Sequence, residues 1–125
     1  MPHARQRLGR KAEDLAAARL AEAGLVIVER NARTRLGELD IVALEGGVLV
    51  FVEVKAGRAG GATGPERPAL AVDRGKQVRL RRLAREWLGS REALRGVGAF
   101  RFDVVGVLFD RGGRLLDYEH IRDAF

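Results

Sequence analysis

Val48-Leu49-Val50-Phe51-Val52-Glu53-Val54-Lys55 is the stretch on which the reading of this chain turns. Its first five residues are apolar and favour β structure; an acid and a lysine follow with one valine between them. Upstream, Gly37-Glu38-Leu39-Asp40 leads into Ile41-Val42-Ala43-Leu44, and Glu45-Gly46-Gly47 joins the two runs. This is the pattern of a β-hairpin, with strands over about Glu38–Leu44 and Val48–Lys55. The hairpin brings Asp40, near the start of one strand, to the end of its antiparallel partner. Side chains alternate along a strand, so Glu53 and Lys55 share a face and Val54 points the other way. Two carboxylates within hydrogen-bonding range of one point suit a hard cation. A lysine beside them can handle a water or a phosphate. From spacing alone, a structural Asp40–Lys55–Glu53 ion cluster is an equal reading, because charges at the end of a greasy hairpin must pair or hold a metal.

Apolar residues on both faces of Val48–Lys55 describe a strand covered on both sides, central to a layered α/β sheet. Phe100–Phe109 has the same two-sided character. Leu8–Ala23 reads as a helix, with Ala12, Leu15, Ala16, Leu20 and Ala23 along its apolar side and Gly24 after it. Glu13 borders that side, either as an acid near the helix start or as one aimed at the hairpin cluster. Leu25–Arg33 begins as a first strand. Asp73 can N-cap a second helix reaching about Leu88, with Leu80, Leu83, Ala84 and Trp87 as its buried stripe. A strand, a helix and a further strand imply a right-handed crossover in a partly parallel sheet. Asp103 is expected to pair with an arginine. A short edge strand over Arg114–Tyr118 and a tail anchored by Ile121 and Phe125 complete the order. Residues Met1–Arg7 read as a basic arm, and Ala56–Ala71, rich in Gly and Pro, as a mobile loop beside the cluster.

The 125 residues fit a single domain with one core. No apolar run approaches the roughly 20 residues of a membrane span, and the absence of a hydrophobic leader and of cysteine fits a cytoplasmic protein. His3 and His120 lie at the two extremes of the chain, which disfavours a histidine-rich zinc site. The net charge of +6 and pI near 10.9 favour a polyanionic partner. Of the 23 basic residues only Lys11, Lys55 and Lys76 are lysines. An ammonium at position 55 is therefore a departure from the chain's habit, and it differs in kind from a guanidinium. Lys76, Arg79, Arg82 and Arg85 make the second helix either a solvated basic face or a contact for a phosphate backbone.

The order Glu13, Asp40, Glu53-Val54-Lys55, on helix, strand, hairpin, helix and strand, resembles the PD-(D/E)xK nuclease superfamily. Nearly the whole chain is similar to the YraN-like family of small bacterial proteins. The resemblance is carried by Gly9 with Glu13, Arg30-Asn31, Gly37-Glu38-Leu39-Asp40, Phe51 to Lys55, Val72 with Lys76, Arg101 to Val105, and Ala124-Phe125. It implies a restriction endonuclease-like three-layer α/β/α fold with a central mixed sheet. It further implies Mg²⁺- or Mn²⁺-dependent cleavage of DNA. In that scheme Asp40, Glu53 and the Val54 carbonyl bind the metal. Lys55 orients or deprotonates the attacking water, and Glu13 completes the site. Leu39 stands where the superfamily commonly has proline, and Arg81 where an exonuclease-type subset has tyrosine. The chemistry of that subset is therefore not carried over. A non-cutting nucleic-acid binder and a protein-interaction module with a structural ion cluster are the alternative functions. RNA as a substrate and a homodimer stay open.

Overall fold

The computed structural model describes residues 4–59, 71–91 and 97–125. The first helix, α1 (Ala4–Glu22), starts four residues earlier than its apolar periodicity suggests, so Ala4–Arg7 is helix rather than a loose arm. Arg, Gln and Leu are good helix formers and no proline interrupts them. Ala12, Ala16 and Leu20, spaced four apart, are fully buried. Small alanines let the helix sit close to the sheet. The helix ends at Glu22, and Gly24 just beyond it has a φ of +99°, the left-handed geometry that glycine adopts without strain.

Strand β1 (Val26–Thr34) pairs antiparallel with β2 (Gly37–Glu45), which pairs antiparallel with β3 (Val48–Arg58). Glu45 faces Val48, so Gly46-Gly47 forms a two-residue turn, and Gly46 takes φ +58°. Asp73 caps helix α2 (Arg74–Gly89) by accepting the Lys76 N–H at 2.9 Å. Strand β4 (Ala99–Phe109) runs parallel to β3, and β5 (Leu115–Ile121) pairs antiparallel with β4. The sheet order β1-β2-β3-β4-β5 is therefore mixed. β3 extends three residues beyond Lys55 because β4 continues to pair with it through Arg58↔Phe109. Most of the expected loop, residues 60–70, lies outside the described residues. β5 runs to Ile121, longer than its sequence suggests, because Tyr118–Ile121 finds partners along Val104–Val107.

Alternation divides β3 between two cores. Val50 and Val52 pack with Ala12, Ala16 and Leu20 of α1, together with Ile41, Val105 and Val107. Leu49 and Phe51 pack with Leu83, Ala84 and Trp87 of α2, together with Val42 and Phe102. The helices thus cover opposite faces of the sheet, and the architecture is helix–sheet–helix. Phe125 stacks on Phe102 with ring centroids 4.9 Å apart, and Ala124 N–H donates to the Phe102 carbonyl at 2.7 Å, so the tail is tied down as expected.

Asp103 is paired, as its position suggests, and more fully than a single arginine would require. It accepts from Arg101 Nε at 2.9 Å and from the Asp123 N–H at 3.0 Å, and lies 2.7 Å from His120 Nε2. Burial alone would raise its pKa; these hydrogen bonds outweigh burial and hold it at about 2. Among the described residues no helix is long and apolar enough to cross a membrane.

Candidate functional site

The β2–β3 ladder stops at Ile41↔Val52, although both strands continue, β2 beside β1 and β3 beside β4. The two strands part there, and the acids stand at the parting. Continuing the register by one step sets Asp40 opposite Glu53. Asp40 Oδ2 accepts the Val54 N–H at 2.8 Å, a backbone donor left without a ladder partner on β2.

Both carboxylates are disfavoured as anions. Burial pushes Asp40 up; the Val54 N–H partly offsets this, and the charges of Glu53, Glu13 and Glu38 push it further, to about 7. Glu53 is also raised by burial, while Lys55, Lys76 and Arg79 pull it back. Glu13 is raised by burial, with Arg30 opposing and Glu38 adding to the shift. Two partly buried acids that repel each other across a strand gap are stabilised when a cation stands between them.

Sequence reasoning missed Asn31. The pairs Arg30↔Ile41 and Ala32↔Leu39 bracket it and set it across from Asp40, on the side away from Glu53. Its φ is +50°, a left-handed conformation that asparagine tolerates better than most residues. With its amide nitrogen turned inward, it donates to Glu13 Oε2 at 2.9 Å and to Glu38 Oε1 at 3.1 Å. Asn31 therefore links helix, first strand and second strand around the site. The available signal was an asparagine in the middle of a strand, where it is disfavoured unless it has a task. Glu38 was missed as well, though it stands two residues before Asp40.

Lys55 Nζ donates to the Ala71 carbonyl at 3.2 Å, which ties the end of β3 to the segment leading into α2. Gln77 Nε2 holds that segment again, at the Val72 carbonyl, 2.8 Å away. The four basic residues expected on α2 divide into two pairs. Lys76 and Arg79 act on Glu53 electrostatically. All four are exposed; Arg82 and Arg85 lie farther along α2, where Arg85 lines a small apolar cavity with Phe51, Ala84 and Phe100. Arg79 also lies against Gly37, where a Cβ would come within 3.2 Å of its guanidinium; φ at Gly37 is +145°. The positive φ strains any side chain at that position, and a Cβ would also press on Arg79 and Leu83.

The donor set fits a hard divalent ion. Asp40 and Glu53 offer carboxylate oxygens and Val54 a carbonyl. Among the described residues no three His, Cys, Asp or Glu side chains form a ready-made cage. Mg²⁺ is ordinarily held in this way, by one or two carboxylates, with water and substrate phosphate filling the other positions.

Comparison with known proteins agrees along the whole chain. A UPF0102 protein of Streptomyces griseus is 51% identical over 120 residues, covering 96% of this chain and 97% of that protein. One from Rhodococcus opacus is 50% identical over 118 residues, covering 94% of this chain and 95% of its own. One from Moorella thermoacetica is 47% identical over 125 residues, the full length of both. The sequence model of the Uncharacterised protein family UPF0102, the same family as the YraN-like proteins, matches residues 12–107, from the buried Ala12 of α1 into β4 and across Glu13, Asp40, Glu53 and Lys55, and the chain belongs to that family.

Proposed function

We propose that this protein is a metal-dependent nuclease of the PD-(D/E)xK type that hydrolyses phosphodiester bonds in DNA. The observation that carries this reading is the meeting of Asp40 and Glu53 where β2 and β3 part, with the Val54 amide holding one Asp40 oxygen. A purely structural cluster would spend the Lys55 ammonium on Asp40 and Glu53; it donates its hydrogen bond to the Ala71 carbonyl instead, while its charge still acts on Glu53. Asp40, Glu53 and the Val54 carbonyl would hold Mg²⁺ or Mn²⁺. Such an ion supplies Lewis acidity and lowers the pKa of a water.

The chain's own groups do the rest. The Val54 N–H fixes the rotation of the Asp40 carboxylate, so one oxygen is committed to the backbone. Lys55, on the same strand face as Glu53, orients the attacking water and offsets charge on the phosphate. Asn31 holds Glu13 and Glu38 in place and so sets the negative field behind Asp40. Lys76 and Arg79 favour the charged form of Glu53 and supply affinity for the phosphate backbone.

The test is cleavage of linear, nicked, flapped and branched DNA, and of RNA, with Mg²⁺ or Mn²⁺. Metal-dependent cleavage of any substrate, lost in Asp40→Asn, supports the reading. Binding without cleavage across the whole panel would leave a nucleic-acid binder. Neither binding nor cleavage would leave a structural cluster.

A further inference from the structure

An open polar cleft runs between α1 and β1, and Asn31 in its lining stands across from Asp40. Its lining holds the acids Glu13 and Glu38 with Asn31, and beside them Gly9, Arg10 and Arg33. Arg30, which also faces it, is engaged by Asp14. Arg10 and Arg33 are exposed, and among the described residues neither side chain makes an ion pair or a hydrogen bond.

Gly9 is the unexplained residue of this cleft. It lies in the interior of α1, where glycine weakens a helix relative to alanine. Packing among the described residues does not require it: outside its own stretch of helix, a Cβ built there meets none of their atoms within 4 Å. Nor does the backbone, since Gly9 is not among the positive-φ glycines. A helix that carries an unneeded glycine on the wall of a cleft, beside two guanidinium groups with no partner among the described residues, leaves room for something that is not part of the chain.

We propose that Gly9 marks the place where a nucleic-acid strand crosses α1, with its sugar–phosphate backbone seated against the bare helix and its phosphates held by Arg10 and Arg33. The inference rests on the nuclease reading and extends it. The strand enters over Lys76 and Arg79, passes Asp40 and Glu53, and leaves through the α1–β1 cleft. Asp14 is paired with Arg30; Glu13 and Glu38, bridged by Asn31, keep their charge and belong to the site, where the cation proposed at Asp40 and Glu53 offsets it.

The experiment compares Gly9→Ala and Gly9→Gln with the wild type and with Gly89→Ala. Gly89 is likewise a helical glycine with open space around it, but it does not line this cleft. Affinity for a labelled DNA strand, and for RNA of the same sequence, is read by anisotropy at low salt with Ca²⁺ present; thermal melting is read in parallel. Gly9→Ala and Gly9→Gln are expected to melt at or above the wild-type midpoint, because both residues are better helix formers than glycine. They are expected to bind about tenfold more weakly, with glutamine the worse, as phosphate contacts are displaced. Gly89→Ala should bind like the wild type. Arg10→Ala and Arg33→Ala should each lower the salt slope of binding by about one. If the wild type binds and Gly9→Gln binds equally well, the strand path is wrong and the nuclease reading survives. If the wild type binds no nucleic acid at low salt, both fall together.

Discussion

Asp40 accepts the backbone N–H of Val54 at 2.8 Å, one residue beyond the last ladder pair of β2 and β3. A side chain has replaced a main-chain partner. The replacement lets the two strands separate without leaving the Val54 N–H unsatisfied, and it fixes a carboxylate in the gap that opens.

That carboxylate weakens the metal-free fold. Its folded pKa of about 7 lies above the usual 3.8, so the folded state holds the proton more tightly than the unfolded chain does. Stability from this group is therefore full below pH 4, falls as pH rises towards 7, and stays low above it. Asp40→Asn should stabilise the metal-free protein at pH 8 by on the order of 2 kcal/mol, an amount trimmed because the amide accepts more weakly from the Val54 N–H. The same variant should lose Mn²⁺ binding and cleavage. Urea midpoints and calorimetric Mn²⁺ titration check both halves, and a destabilised variant would show that the acid is structural.

Lys55→Arg should fold, bind Mn²⁺ and bind DNA, yet lose most cleavage. Neither carboxylate is altered, so the metal ligands remain. The planar guanidinium cannot take the place of a compact ammonium at the water. The comparison is a cleavage time course beside a Mn²⁺ titration; undiminished cleavage would remove the role given to Lys55.

The two pairs of cations on α2 should separate in their pH behaviour. Lys76 and Arg79 hold the pKa of Glu53 down. Replacing both by alanine should move the rise of Mn²⁺ affinity to higher pH, because metal binding requires the deprotonated acid. Replacing Arg82 and Arg85 should weaken nucleic-acid binding and flatten its salt dependence while leaving that pH profile in place. Identical profiles for the two double variants would argue against the division.

Asp103 is expected to be a pillar of the fold. Its pKa is held at about 2, so its contribution is present above pH 4 and is lost as pH falls towards 2. Asp103→Ala leaves Arg101 and His120 without this anion and should cost about 3–5 kcal/mol. Urea denaturation at pH 7 and at pH 3 measures it; the gap between wild type and variant should narrow at the lower pH.

The hairpin, the division of β3 between two cores, the Asp73 cap and the shared face of Glu53 and Lys55 were all legible in the sequence. They follow from periods of 2 and 3.6 residues, from turn glycines and from short-range capping, which are written within a few residues of one another. Tertiary structure alone decided where β2 and β3 part, because that depends on β1 and β4 retaining their neighbours after the central pair lets go. It also turned Asn31 into the link between Glu13 and Glu38, by setting β1 against both α1 and β2. It brought the exposed Lys76 and Arg79 within electrostatic reach of Glu53, and it brought His120 to Asp103 across two strands. Each of these joins residues from separate elements, and their geometry is settled by how helices and strands pack rather than by the order in which they are spelled.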